Sequence, residues 1–450
     1  MAQMGAVEVA SRPWHRFYES GVPIAPEFPI FPIYGFLQRS VERFPRATAL
    51  ILVSAHPAFD RRLTYAQLDA LSDRFAASLI RLGLRKGDRA AISLPNLPQY
   101  VIAAYGIWKA GGVVVQVNPL YRGNDLAFIL KDSGARFAVV FARFFPQVAE
   151  VLPHTSIERV IVTRVHDFFP PLFRLLYGLT KAKKEGDVYP PEEKVVPFNS
   201  LLRGPRLGRP VEVSPAELAV LQYTGGTTGL AKGAMLSHRN LVCNLTQTRS
   251  WLTDLKEGEE RILSVVPFFH VYGMTVCMNL SVAIAAANIM ILMPGFVART
   301  TAEVAVKYRP TVFPGVPNMY VAIKDFPGVR KYGIQSIKAC VSGSAPLPVE
   351  VQEAFEKLTR GRLVEGYGLT EAGPVTHANP LNGLRKVGTI GVPLPSTEAR
   401  VVDLLKGKKE VKAGQIGELA VRGPQVMLGY WGQPDETRRT FTQDGFLLTG

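Results

Sequence analysis

The chain has 450 residues, 47% of them hydrophobic and 20% charged, with a formal net charge of +15 and three cysteines. That balance excludes a disordered chain, and Cys243, Cys277 and Cys340 stand too far apart for a CxxC zinc site or a disulfide framework. The positive charge points to acidic partners such as nucleotides, coenzyme A or an anionic membrane surface, while no zinc-finger spacing or RNP-like aromatic box argues for nucleic acid.

A chain of this length exceeds one ordinary core, so packed subdomains are expected, with approximate bounds 33–210, 211–386 and 387–450. The opening stretch holds Arg12, Arg16 and several prolines but no continuous apolar segment; it reads as an extended surface arm and not as a secretory signal, which favours a cytoplasmic location. Thr64 and Gln67 have capping-box spacing, and Leu68, Leu71, Phe75, Leu79 and Leu82 then mark one helical face that ends at Gly83. Strands are expected at 89–94, 113–117, 137–141 and 159–163, with helices near 100–109 and 124–132 between them. Alternation at this spacing predicts crossover units on a mainly parallel sheet, an α/β fold. Residues 168–184 differ: Phe168, Phe169, Leu172, Phe173, Leu175, Leu176 and Leu179 precede Lys181, Lys183 and Lys184. An amphipathic segment with a cationic end suits either a membrane surface or a helix packed on its own domain.

The chain is organised around Tyr223-Thr224-Gly225-Gly226-Thr227-Thr228-Gly229-Leu230-Ala231-Lys232-Gly233, which follows the strand-like Leu218-Ala219-Val220-Leu221. Short side chains let backbone N–H groups surround an anion, the threonine hydroxyls add donors, and Lys232 supplies a charge for a phosphate oxygen. It is not a Walker loop, because Lys232 lies between Ala231 and Gly233 and no Ser or Thr follows it. Between Arg261 and Arg299 the side chains are uncharged apart from His270. Gly273, Asn279 and Asn288 interrupt this run, and Pro294-Gly295 closes it, so a buried helix followed by a buried strand is expected in preference to a membrane span. Two further strands, 337–341 and 363–364, run into Ser342-Gly343-Ser344-Ala345-Pro346 and Glu365-Gly366-Tyr367-Gly368-Leu369-Thr370-Glu371, which can bring backbone close to a ligand at a sheet edge. From Val387 onward, short apolar runs between Gly and Pro suggest a small β-rich subdomain.

Four ordered motifs, residues 223–233, Pro267-Phe268-Phe269-His270-Val271-Tyr272-Gly273, residues 366–371, and Gly417-Glu418-Leu419 through Gly429-Tyr430-Trp431, together resemble the adenylate-forming superfamily, especially its fatty acyl-CoA synthetases. The resemblance covers most of the chain. It implies that a carboxylic acid and ATP give an acyl-adenylate and pyrophosphate, after which coenzyme A displaces AMP to give a thioester. It also implies that Thr224, Gly225, Gly226, Thr227, Thr228, Gly229 and Lys232 hold the phosphates, and that Gly343, Ser344, Ala345 and Pro346 line the nucleotide pocket. Residues Glu365, Gly366, Tyr367, Gly368, Leu369 and Thr370 belong to the same pocket, with Tyr367 beside the adenine and Thr370 on phosphate. Glu371 binds Mg2+, and His270 meets the acyl carboxylate. Amino-acid-activating members of that superfamily offer an aspartate to the substrate ammonium in the region that Pro267 to Gly273 resembles, and none stands here; the uncharged region 262–298 fits an apolar acyl tail instead, so a long-chain fatty acid is expected, with medium-chain or aryl acids as alternatives. The resemblance further implies that this chain is the large N-terminal domain alone, without the family's C-terminal lid domain, and that its turnover is impaired; a binding module for ATP, adenylate or lipid without turnover is the alternative from another class.

Overall fold

Seven strands rich in valine and alanine assemble into the larger sheet of the computed structural model, which describes residues 12–54, 57–224, 231–292, 295–404 and 409–450. Its order is Val195–Pro197, Arg159–Thr163, Phe137–Phe141, Arg89–Ser93, Val113–Gln116, Leu218–Thr224 and Lys232–Ser237. All neighbours run parallel except the last pair, an antiparallel hairpin. Parallel strands covered on both faces need apolar residues at successive positions, and Val113, Val114 and Val115 are all buried. The expected division near residue 210 falls inside this sheet, because Val114 pairs with Val220.

The helix Tyr65–Arg81 begins as the capping-box spacing requires. Thr64 Oγ1 accepts from the Gln67 N–H at 3.2 Å, while Gln67 Oε1 accepts from the Thr64 N–H at 2.9 Å. Leu68, Phe75 and Leu79 on one face are fully buried, and the chain turns at Gly83 with φ of +96°. This helix packs on Pro98–Lys109, whose residues are all buried. Lys109 is compensated there: its Nζ lies 2.6 Å from Asp69 Oδ1 and 2.7 Å from Asp73 Oδ1, and Arg206 binds both carboxylates from outside. Removing one partner of such a cluster costs about 3–5 kcal/mol, because the others are left buried and uncompensated.

The second sheet joins distant parts of the chain, in the order Arg261–Ser264, Ala287–Ile291, Thr48–Val53 and Arg61–Thr64. Val312 bridges Ile262 to Ala339 and so links it to a third set, in which Ala339–Ser342 and Arg362–Gly368 run parallel. The strand at 362 is longer than expected. Gly366 and Tyr367 pair with Ala378 and His377, so backbone read as a turn continues as strand to Gly368. Beyond residue 387 the described strands Val392–Pro393, Glu398–Val402, Glu418–Arg422 and Leu447–Leu448 are antiparallel and short.

The uncharged run from residue 262 folds as a π-helix, Gly273–Asn279, a single α-turn, Leu280–Ala283, and the strand Ala287–Ile291. Among the described residues no helix is long and apolar enough to cross a membrane. Cys243, Cys277 and Cys340 are free thiols buried in the core.

Candidate active site

The hairpin at the edge of the large sheet sets the site's geometry. Thr224 opposes Lys232 and Tyr223 opposes Gly233, so the two ends of the Gly/Thr sequence are held side by side. Gly225, Gly226, Thr227, Thr228 and Gly229 lie outside the described residues. The base of the hairpin is fixed from three sides. Tyr223 donates its hydroxyl to Asp132 Oδ2 at 2.6 Å, and the Trp431 indole donates to the Asp132 carbonyl at 3.1 Å. The Trp431 backbone N–H reaches the Gly233 carbonyl at 2.8 Å. A Cβ at Gly233 would lie 3.2 Å from the Tyr223 ring and 3.4 Å from Trp431, so glycine permits this close packing.

A cavity of about 1190 Å³ opens between this hairpin mouth, the ends of the strands Ala339–Ser342 and Arg362–Gly368, and the segment that holds His270. Its size suits a nucleotide together with part of a second reactant. Thr224, Lys232, His270, Gly343, Ser344, Gly366, Tyr367, Gly368, Leu369, Thr370 and Glu371 all line it. Sequence-distant motifs thus meet at one sheet edge. Ala345 and Pro346 stand exposed and do not form its wall, nor does Glu365. The Glu365 carboxylate accepts weakly from the Leu347 N–H at 3.4 Å, and burial raises its pKa.

His270 is set by a tight reversal of the backbone. A Cβ at Gly273 would come within 2.1 Å of the Pro267 carbonyl, so this turn excludes any other residue. The His270 Nδ1 accepts from the Tyr272 N–H at 3.2 Å, which leaves the neutral ring's proton on Nε2. The ring opens to the cavity yet is hemmed in by protein, and this desolvation lowers its pKa, favouring the neutral donor form. Tyr272 donates to the Val341 carbonyl at 2.7 Å and lies beneath Gly343, where a Cβ would stand 3.4 Å from its ring. Gly368 is equally constrained, since a Cβ there would lie 2.1 Å from the Pro374 carbonyl.

Glu371 anchors the opposite wall. Its Oε1 accepts from the Tyr430 hydroxyl at 2.7 Å, and its backbone carbonyl accepts from the Met427 N–H at 2.7 Å. Lys232 Nζ lies 5.2 Å from the centre of the Tyr430 ring and 2.5 Å from Glu436 Oε1. Among the described residues no three His, Cys, Asp or Glu side chains cluster as a metal cage. A single carboxylate such as Glu371 fits Mg2+ when phosphate oxygens and water complete the octahedron, which is the usual way this ion is held.

Several lining residues escaped the sequence reading. Gln116 and Gln222 each end or interrupt an apolar strand, a signal that polar side chains are wanted at that sheet edge. Gln222 donates to the Phe269 carbonyl at 3.0 Å, and its Oε1 is buried with no hydrogen-bond partner among the described residues. Tyr430 lies inside a quoted motif, but only the fold brings it to Glu371; Glu436 carried no signal at all. The apolar wall comes from Phe269, Val271, Tyr272, Val341, Leu369 and Val375. Most of the uncharged run is instead consumed by the core, where Val276, Cys277, Met278 and Leu280 are buried against neighbouring elements.

The sequence profile of the AMP-binding enzyme family matches residues 37–431. The chain is 40% identical over 444 residues to a long-chain-fatty-acid–CoA ligase of Bacillus subtilis (strain 168), covering 98% of this chain and 78% of that protein. It is 39% identical over 394 residues to a ligase of the same name from Escherichia coli O157:H7, covering 86% of this chain and 69% of the other. Among solved structures, a long-chain-fatty-acid-CoA ligase from Archaeoglobus fulgidus superposes with a TM-score of 0.80 at 26% identity, covering 96% of this chain and 83% of that one. ATP-bound MatB from Rhodopseudomonas palustris gives 0.76 at 25% identity, covering 93% and 76%.

Proposed function

The chain belongs to the AMP-binding enzyme family, and from that membership we propose that it activates a long-chain fatty acid with ATP and passes the acyl group to coenzyme A. The observation that carries this reading is the convergence of Lys232, Glu371 and neutral His270 on one cavity of about 1190 Å³ with an apolar wall beside them. The chain length of the acid rests on the names of the relatives.

In the first step a carboxylate oxygen of the acid bonds to the α-phosphorus, the bond from that phosphorus to the bridging oxygen breaks, and pyrophosphate leaves with the electron pair. Lys232 and Thr224, with the Gly225 to Gly229 backbone and the hydroxyls of Thr227 and Thr228, hold the charge that grows on the departing group. Thr370 supplies a hydroxyl to phosphate, and Glu371 would hold Mg2+, which when bound would supply positive charge against phosphate oxygens. His270 donates from Nε2 to the acid and orients it for in-line attack. Tyr367 flanks the adenine, with Gly343, Ser344 and Gly366 giving the ring close access to backbone. In the second step the coenzyme A sulfur, as thiolate, bonds to the acyl carbon and AMP leaves.

Incubation with palmitate, MgATP and pyrophosphatase, followed by mass spectrometry for palmitoyl-AMP, tests the reading. Accumulation of the adenylate, and its loss on adding coenzyme A with palmitoyl-CoA appearing, is expected. Nucleotide binding without any acyl-AMP from acids of all lengths would refute it.

A further inference from the structure

The helix Pro171–Thr180 presents apolar side chains in the wrong direction for a buried element. Leu172, Leu175, Leu176 and Leu179 are 64%, 60%, 48% and 77% exposed. Their spacing of i, i+3, i+4 and i+7 gathers them into one stripe. The opposite side of the helix fixes it to the body. Tyr177 is buried against Phe169, edge to face at 5.5 Å, and Phe173 meets Phe59 at 5.2 Å. Beyond the helix, Asp187 closes the segment by accepting from the Val165 N–H at 3.1 Å and meeting His166 Nδ1 at 2.7 Å. The leucine row is therefore held outward on an anchored element, where an unbroken apolar stripe marks a contact surface.

We propose that this row is a docking surface for an anionic phospholipid membrane. Charge selects the occupant. Lys181, Lys183 and Lys184 are exposed directly after the helix, and Arg174 sits within it. The nearby acids do not cancel them, because Glu185 is taken by Arg143 and by the Tyr177 hydroxyl, and Asp167 and Asp187 are buried. Leucines that enter the acyl boundary while lysines meet lipid phosphates form an interfacial anchor. A second copy of the chain meeting this face across a two-fold axis would set the same cations against each other, on a protein whose formal charge is already +15. The proposal does not depend on the activity proposed above, since its readout is lipid binding.

Vesicle co-sedimentation of the whole chain is the test, using phosphatidylcholine vesicles with and without about a third phosphatidylglycerol. Wild type is expected to sediment with the anionic vesicles and to be released by salt. The variant Leu172→Ser/Leu175→Ser/Leu176→Ser/Leu179→Ser should lose at least about tenfold in partitioning, and Lys181→Glu/Lys183→Glu/Lys184→Glu should lose the preference for anionic lipid. An environment-sensitive dye on Leu175→Cys gives an independent readout in an otherwise native chain, selective because all three native cysteines are buried. Its emission should shift to the blue with anionic vesicles. Wild type that ignores these vesicles, a serine variant that binds as wild type does, a dye that does not respond, or leucine substitutions that convert a dimer to monomer without changing sedimentation with lipid would each overturn the proposal.

Discussion

Lys232 and Glu436, distant in sequence, form an ion pair at the cavity wall, with Nζ 2.5 Å from Oε1 and 5.2 Å from the centre of the Tyr430 ring. Lys232 in turn holds the Glu436 carboxyl below the usual carboxylate range. A phosphate that binds Lys232 must compete with a carboxylate the protein carries itself. Glu436→Gln is therefore expected to tighten MgATP binding several-fold by calorimetry, whereas Lys232→Met should weaken it about tenfold or more. Equal or weaker binding by Glu436→Gln would dispose of the competition.

The hydroxyl of Tyr430 orients Glu371, and Tyr430→Phe removes that hydrogen bond while keeping the ring beside Lys232. Hydrogen bonds to charged groups contribute about 1.5–3 kcal/mol, so the magnesium concentration needed for half-maximal adenylate formation should rise about tenfold. The thermal midpoint should barely move. An unchanged magnesium titration would show that Glu371 needs no such support.

His270→Ala deletes the cavity's neutral imidazole donor. If the ring positions the acid, adenylate formation falls about a hundredfold while ATP affinity stays near wild type. Unaltered adenylate formation would remove His270 from the reaction.

Burial lowers the pKa of His238 and of His377 from 6.5 to about 4. Both rings stay neutral in the folded chain as pH falls from 6.5 toward 4, while the unfolded chain takes up their protons. Stability is thus greatest above pH 6.5 and declines through that window, by about 1.4 kcal/mol per pH unit for each histidine. Urea titrations at pH 7.5, 6 and 5 should show the decline, and His377→Gln should flatten it by one histidine's share. A slope identical in the variant would mean that the carboxylates alone set the acid sensitivity.

Local chemistry was the legible part of the sequence. Thr64 and Gln67 announced a helix start because a capping box is satisfied within a few residues, and alternating strands and helices announced a parallel sheet because crossovers have a narrow range of lengths. The strand Arg362–Gly368 runs past what its sequence indicates: its glycines favour a turn, and only pairing with Val375–Ala378 makes them strand. Glu436 meeting Lys232, and Asp132 receiving both Tyr223 and Trp431, are set by the closing of the whole fold, so no local pattern carried them. The uncharged run from residue 262 suits a substrate's acyl tail by composition, yet most of it fills the core. Apolar composition alone does not distinguish those two uses.

The parallel register of Leu50 with Asn288 has a bearing on how the chain is made. More than two hundred residues separate these partners, and a ribosome adding about 5–20 residues per second needs on the order of 10–50 s to deliver the second after the first. Throughout that interval the apolar strand Thr48–Val53 has only the antiparallel Arg61–Thr64 beside it and a bare edge on its other side. Such an edge invites pairing with neighbouring nascent chains, so slowing synthesis upstream of residue 288 should favour aggregation, and a chaperone that shields that edge should restore yield.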